Sequence, residues 1–336
     1  MAKQKLPRLG ITLGDPAGIG PEVVAKALAD PAVRRLARFA VFGLPRDLWA
    51  ALAGVPLDFL SRTCALEEWD GRAEEVTLVV PSGIEGTDVP RGRPTAESGR
   101  AAVQFILAAI DAARTGRTDG LVTAPISKEA VHLAGYPWPG HTELLAEKFA
   151  APEVAMMFAG GPFRIVLVTI HLALIEAIRS LTVQRILSAM RLANDALRQS
   201  FGIAVPRLGV LGLNPHAGEA GRFGHEEREI IAPAIEEAKT AGLCAFGPLP
   251  PDTAFHQAAQ GKFDLLVAMY HDQGLIALKT VAFDSSVNIT LGLPTVRTSP
   301  DHGTAYDIAS RGEANPESMK QAIRLAADMV RRGKCI

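Results

Sequence analysis

The chain has 336 residues, 48% of them hydrophobic and 21% charged, which is enough to bury a large core and suggests two domains or one large α/β unit. Thirty-five Lys and Arg stand against 36 Asp and Glu, a net charge of -1, so no global basic surface argues for nucleic acid and a small molecule is the expected partner. Three cysteines without C-x-x-C spacing argue against a disulfide framework or a thiolate zinc site; the N-terminal "MAKQKLPRLG" lacks the apolar core of a signal peptide and no apolar run reaches membrane-spanning length, so the cytoplasm is expected.

Leu9 to Leu13 is apolar enough for a buried strand, and it runs into "GDPAGIGPE" (14–22). Gly14, Gly18 and Gly20 are spaced G-x3-G-x-G, not the G-x-G-x-x-G of a dinucleotide fingerprint, and no Gly-Lys-Ser/Thr follows. Pro21 suits a first helical position and Glu22 a first turn, so the segment predicts strand, loop, helix. A ligand-touching loop and a plain tight turn both fit it. Further strands are expected at 38–43, 76–80, 119–124, 154–159, 164–170, 207–213, 264–270 and 287–293, and helices at 96–114, 183–200, 226–241 and 316–331. The alternation predicts an α/β fold whose helices cover a parallel or mixed sheet. The Gly-, Pro- and Ser-rich stretch 81–99 is read as a linker or an active-site loop.

Polar residues interrupt three strand ends in the same way: His171 in "VTIHLAL", His216 in "GLNPHAGE" and His271 in "VAMYHDQG". Ligands of open α/β sheets bind at the carboxyl ends of strands, so these imidazoles are placed to converge. Three imidazoles with open positions suit a catalytic divalent metal; structural hydrogen bonding is the competing reading. "PGHTELL" sets His141 and Thr142 at a loop-to-helix junction, where Thr142 is a candidate N-cap and the free N–H groups suit an anion. Residues 270–307 then bring Asp272, Lys279, Asn288, Arg297, Asp301 and His302 among glycines and β-branched residues, with Lys279 and Arg297 suited to carboxylate or phosphate.

Taken in order, "GDPAGIGPE", "GHTE", "TIHLAL", "GLNPHAGE", "GPLPPDT", "MYHDQGL", "VNITLGLP" and "RTSPDHGTAYDIA" resemble the 4-hydroxythreonine-4-phosphate dehydrogenase family of pyridoxal 5'-phosphate biosynthesis over nearly the whole chain. The resemblance implies a two-domain fold like that of isocitrate and isopropylmalate dehydrogenases, not a Rossmann fold, with an interdomain active-site cleft. Boundaries are expected near 1–125 plus 300–336 and 126–299, the second domain carrying metal ligands and dimer contacts. It also implies a homodimer with active sites built by both subunits. The implied reaction is NAD-dependent (or NADP-dependent) oxidation of 4-(phosphooxy)-L-threonine, whose 3-oxo product loses CO2 to give 3-amino-2-oxopropyl phosphate.

Position by position, His171, His216 and His271 match the family's ligands for one divalent ion (Zn, Mg or Co). His141, Thr142, Lys279, Asn288 and Arg297 match its substrate-binding residues. Asp272 and Lys279 are the catalytic candidates, Asp272 as the group that orients a ligand or accepts a proton. His302 is the suspected nucleotide contact. Ser285 and Ser286 depart from an Arg-Gly-like pair expected in biosynthetic members. Relatives acting on threonate or erythronate 4-phosphate, or on dihydrodiol dicarboxylates, share this framework and are the alternative. A metal-dependent phosphate-ester hydrolase is a further alternative, although no second carboxylate-rich metal cluster is evident, and a non-catalytic anion-binding module is a third.

Overall fold

The computed structural model describes residues 6–50, 58–69, 71, 76–83 and 89–333. The chain divides into two compact units, residues 1–152 with 293–336, and residues 153–292. The expected boundaries at 125/126 and 299/300 therefore move. Two helices between 128 and 149 pack on the long helix of the first unit, and residues 296–300 form a strand of that unit's sheet.

In the first unit β1 (Arg8–Thr12) leads to α1 (Gly20–Ala29), α2 (Pro31–Arg34), β2 (Arg38–Phe42), α3 (Pro45–Ala50), β3 (Leu60–Cys64) and β4 (Val76–Val79). It continues with α4 (Ala96–Arg114), β5 (Gly120–Thr123), α5 (Lys128–Leu133) and α6 (His141–Phe149). The second unit contains β6 (Ala155–Gly160), β7 (Phe163–Leu167), α7 (Leu174–Arg179), α8 (Val183–Gln199), β8 (Arg207–Leu211), α9 (Ala232–Thr240) and β9 (Cys244–Leu249). After α10 (Pro251–Ala259), β10 (Leu265–Ala268), α11 (His271–Ala282) and β11 (Val287–Leu291), the chain returns to the first unit as β12 (Val296–Pro300) and α12 (Glu317–Arg332).

The first unit's strands lie in the order β3-β4-β2-β1-β5-β12, all parallel. β4 and β5 are buried along their whole length, as strands covered on both faces must be, which fits their mostly apolar sequences. The core holds Phe39, Phe42, Phe105, Ile106 and Leu121, each contributing about 1.5–3 kcal/mol on burial. Thr95 caps α4 reciprocally with Ser98, fixing where that helix starts.

The second unit's order is β11-β6-β7-β10-β8-β9. β11-β6 and β6-β7 are antiparallel, whereas β7, β10, β8 and β9 run parallel. Phe158, Ile165, Leu167, Leu266 and Leu278 form its core. The expected helix 226–241 is instead a π-helical turn, Glu227–Ile231, followed by α9. Pro233 has no N–H to give the ladder, and the helix absorbs an extra residue before it. Three strands were not expected: β3, β9 and β12. Part of the 81–99 stretch, residues 84–88, lies outside the described residues. Among the described residues no helix is long and apolar enough to cross a membrane.

Candidate functional site

In the second unit the three histidines leave the carboxyl ends of β7, β10 and β8, three neighbouring parallel strands. Adjacent strands are about 4.8 Å apart, so their ends bring the segments to one edge. His171 and His271 rings stand 6.0 Å apart by centroid. Both line a cavity of about 250 Å³ with Tyr270, Asp272 and Leu174. His271 is the first residue of α11, and its Nδ1 lies 2.7 Å from Asp272 Oδ1. That contact leaves Nε2 for a metal, the usual arrangement of a carboxylate behind a ligating imidazole.

The backbone at the other two histidines is left-handed. His171 has φ +48° and His216 φ +53°, a conformation that costs a non-glycine residue about 1–3 kcal/mol and gathers at functional sites. Among the described residues, no three His, Cys, Asp or Glu side chains in one chain are gathered closely enough to hold a metal ion. His216 is exposed in its own loop, where its neighbour is the Phe223 ring at 6.4 Å. The donor set itself suits a borderline divalent ion: imidazoles, one held by a carboxylate, with two of the three on strained backbone. Lys279 lies farther along α11, its Nζ 5.4 Å from the Phe283 ring centroid, and Asn288 sits in β11 with Oδ1 buried and lacking a hydrogen-bond partner. Ser285 and Ser286 turn the chain from α11 into β11, both N–H groups donating to Ala282 O.

In the first unit Arg297 is buried within β12, 2% exposed, its Nε and Nη2 donating to Thr123 Oγ1 at 3.2 and 2.6 Å. Burial pulls the guanidinium down to about 9, so it remains cationic at neutral pH. His141 is held well below the ordinary histidine value, first by burial and then by the charge of Arg297, and its buried Nε2 has no hydrogen-bond partner. A neutral imidazole beside a buried cation is arranged to meet an anion that also offers a hydrogen bond. Thr142 is not the N-cap. Gly140 holds that place in extended backbone, α6 begins at His141, and Thr142 is buried in the first turn.

The shape of the loop 14–20 is fixed by close packing and by its own hydrogen bonds. Gly14 takes φ +71°, where an added Cβ would stand 2.3 Å from Pro125 O. Asp15 is fully buried and accepts from Ala17 N at 2.8 Å, Tyr306 Oη at 2.6 Å and Ser98 Oγ at 3.2 Å. Burial raises its carboxyl above the ordinary range against these hydrogen bonds. Ile19 N donates to Thr304 O at 2.9 Å, and Glu22 accepts from Ala314 N at 2.8 Å. The glycine-rich loop thus clamps the turn that follows His302, whose own Nε2 is buried without a partner. Sequence reasoning missed Asp15, Tyr306 and Thr123 as site-building residues; the nearness of "GDP" and "GTAYD" has no local signal.

The sequence profile of the family described as "Pyridoxal phosphate biosynthetic protein PdxA" matches residues 41–326. The chain is 48% identical over 329 residues to a 4-hydroxythreonine-4-phosphate dehydrogenase of Geobacter metallireducens, covering 97% of this chain and 96% of that protein. It is 44% identical over 331 residues to a D-threonate 4-phosphate dehydrogenase of Cupriavidus necator, covering 97% and 98%. Among solved structures, a 4-hydroxythreonine-4-phosphate dehydrogenase from Klebsiella pneumoniae matches with TM-score 0.86 at 40% identity, over 96% of this chain and 99% of that one. A β-decarboxylating dehydrogenase from Thermococcus kodakarensis, 14% identical, shares the fold with TM-score 0.50 over 96% and 82%, in keeping with the expected fold.

Proposed function

The chain belongs to the PdxA family, and from that membership we propose that it oxidises the secondary alcohol of 4-(phosphooxy)-L-threonine with NAD as hydride acceptor. The product, 2-amino-3-oxo-4-(phosphooxy)butanoate, then loses CO2 to give 3-amino-2-oxopropyl phosphate. One observation carries the reading: three histidines leave neighbouring parallel strands at one edge, two of them on left-handed backbone and the third backed by Asp272. His171, His216 and His271 are the residues that would hold a divalent ion. When bound, such an ion supplies Lewis acidity to the alcohol oxidation and to the decarboxylation, while nicotinamide takes the hydride.

The chain's own groups supply binding and proton handling. Arg297 offers a preformed, desolvated guanidinium to an anionic end of the substrate, at no further solvation cost when the ligand arrives. His141, neutral, gives or accepts one hydrogen bond through Nε2, and in the second unit Lys279 and Asn288 are the proposed further substrate contacts. Asp272 fixes the His271 ring and is the candidate proton acceptor. His302 is the proposed nucleotide contact. A homodimer completes the histidine set: Leu172, Leu174 and Ile175, about half exposed, surround His171, and exposed Phe223 stands beside His216, apolar surface suited to a second copy.

The test is NADH formation at 340 nm with 4-(phosphooxy)-L-threonine, run beside D-threonate 4-phosphate and a chelated, metal-restored sample. Turnover of the amino acid that is lost on chelation and restored by Zn, Co or Mg is expected. Turnover of threonate phosphate alone would keep the chemistry and move the substrate to that of the Cupriavidus necator relative. NADH from neither acid would sink the proposal.

A further inference from the structure

The histidine-bearing segments are stitched together by side chains that are not themselves metal-ligand candidates. Thr169, buried two residues before His171, donates from Oγ1 to Met269 O at 2.8 Å. Met269, two residues before His271, donates its N–H to Gln273 Oε1 at 2.7 Å. Gln273 Nε2 in turn donates to Gly212 O, just past β8, at 2.7 Å. Glu227, also buried, then takes over: its Oε1 accepts Leu213 N at 2.8 Å and Asn214 N at 2.6 Å, and its Oε2 accepts Asn214 Nδ2 at 2.9 Å. One continuous belt runs across the ends of β7, β10 and β8 into the loop of His216.

That loop needs holding. Residues 216 to 220 are all left-handed, with φ of 53, 53, 80, 41 and 58°, and only Gly218 among them is glycine. Each of the others costs about 1–2 kcal/mol in this conformation. The turn wraps over Glu227, whose Oε2 lies 2.6 Å from where a Gly218 Cβ would stand. Glu227 is the first residue of the π-helical turn, Glu227–Ile231, that follows this loop.

We propose that Thr169, Gln273 and Glu227 are positioning residues that fix the spacing of the His171, His271 and His216 segments and so set the divalent-metal affinity of this edge. The inference rests on the metal reading above. Substitution of such supporting groups characteristically weakens metal binding by about 10–100-fold.

The experiment is titration of the chelated full-length protein with Co(II), following its visible absorption band, for the unmodified chain, Gln273→Met, Glu227→Gln and the milder Thr169→Val. Asp264→Asn is the comparator: Asp264 binds Arg207 at 2.8–3.0 Å at the opposite ends of β8 and β10, so its loss destabilises the same sheet from the far edge. The belt variants are expected to bind Co(II) about 10–100-fold more weakly with an altered band, and Asp264→Asn to bind normally despite a lower unfolding temperature. Unchanged affinity and spectrum in folded Gln273→Met and Thr169→Val would overturn the belt alone. Equal weakening by Asp264→Asn would reduce it to general stability and overturn it too. An unmodified chain whose Co(II) binding is absent, or unaffected by His271→Ala, would overturn the metal reading and the belt with it.

Discussion

Replacing Arg297 by Met separates the cost of the anion site from its use. Burial pulls the guanidinium down from its ordinary value to about 9, which corresponds to a desolvation cost on the order of several kcal/mol. The hydrogen bonds to Thr123 Oγ1 and the guanidinium's further polar contacts return part of it, and an uncharged methionine, though shorter, escapes the remainder, a net gain of about 1–3 kcal/mol. Unliganded Arg297→Met is therefore expected to melt a few degrees higher than the unmodified chain. The sign with pH follows from the lowered value. Below about 9 the group is protonated in both folded and unfolded chains and its burial cost is fully present; above that, the folded group loses its proton and the cost fades. The advantage of methionine should be constant from pH 6 to 8 and shrink beyond 9. In the same protein, the rise in melting temperature on adding 4-(phosphooxy)-L-threonine should vanish, and kcat/KM should fall by about 10²–10³. Differential scanning calorimetry with and without ligand reads both halves. An unliganded variant that melts below the unmodified chain, or one that keeps the ligand-induced rise, would refute the reasoning.

Asp47, 5% exposed, is raised by burial to about 6, so the folded state holds its proton more tightly than the unfolded chain. Stability should fall by about 3 kcal/mol as pH rises from 4 to 6 and stay low above it, a slope that Asp47→Asn should flatten in urea titrations at several pH values. His141, held well below its ordinary value, should still show the ¹⁵N shifts of neutral imidazole at the pH where an ordinary histidine is half protonated; a midpoint near 6.5 would contradict its burial beside Arg297. Gly14→Ala meets both a left-handed backbone and Pro125 O, and should cost about 3 kcal/mol or more, whereas Gly135→Ala, at φ +82° in open space, should cost about 1 kcal/mol in the same thermal assay.

The strand ends carrying the histidines were legible because each combines a buried apolar run with an abrupt polar break, and the long helix over 96–114 because Thr95 and its apolar stripe mark it. The strands that escaped have physical reasons. β9 holds Gly247 and Pro248, tolerable at an edge where one row of N–H groups has no partner strand. β12 carries Arg297, Thr298 and Ser299 into the core, a polar string that reads as loop. β3 exposes three consecutive residues on its own edge. The left-handed turn is invisible in "HAGEA", four of whose five residues favour other backbone, because the group that stabilises it, Glu227, acts through backbone atoms of Leu213 and Asn214. Gln273 is hidden likewise: its partners are peptide groups of Met269 and Gly212, 4 and 61 positions away.

The second unit is a single uninterrupted segment, 153–292, set between the two pieces of the first. This has a consequence for synthesis on the ribosome. β5 pairs with β1 on one side and with β12 on the other, and β12 is among the last strands made. At about 5–20 residues per second, the 172 residues from 124 to 295 keep that side of β5 without its neighbour for about 10–35 s. During that interval the nascent first unit exposes an apolar strand edge open to intermolecular pairing. Chains stalled or truncated before residue 296 should therefore aggregate through β5, and a peptide of β12 sequence supplied in trans should suppress it.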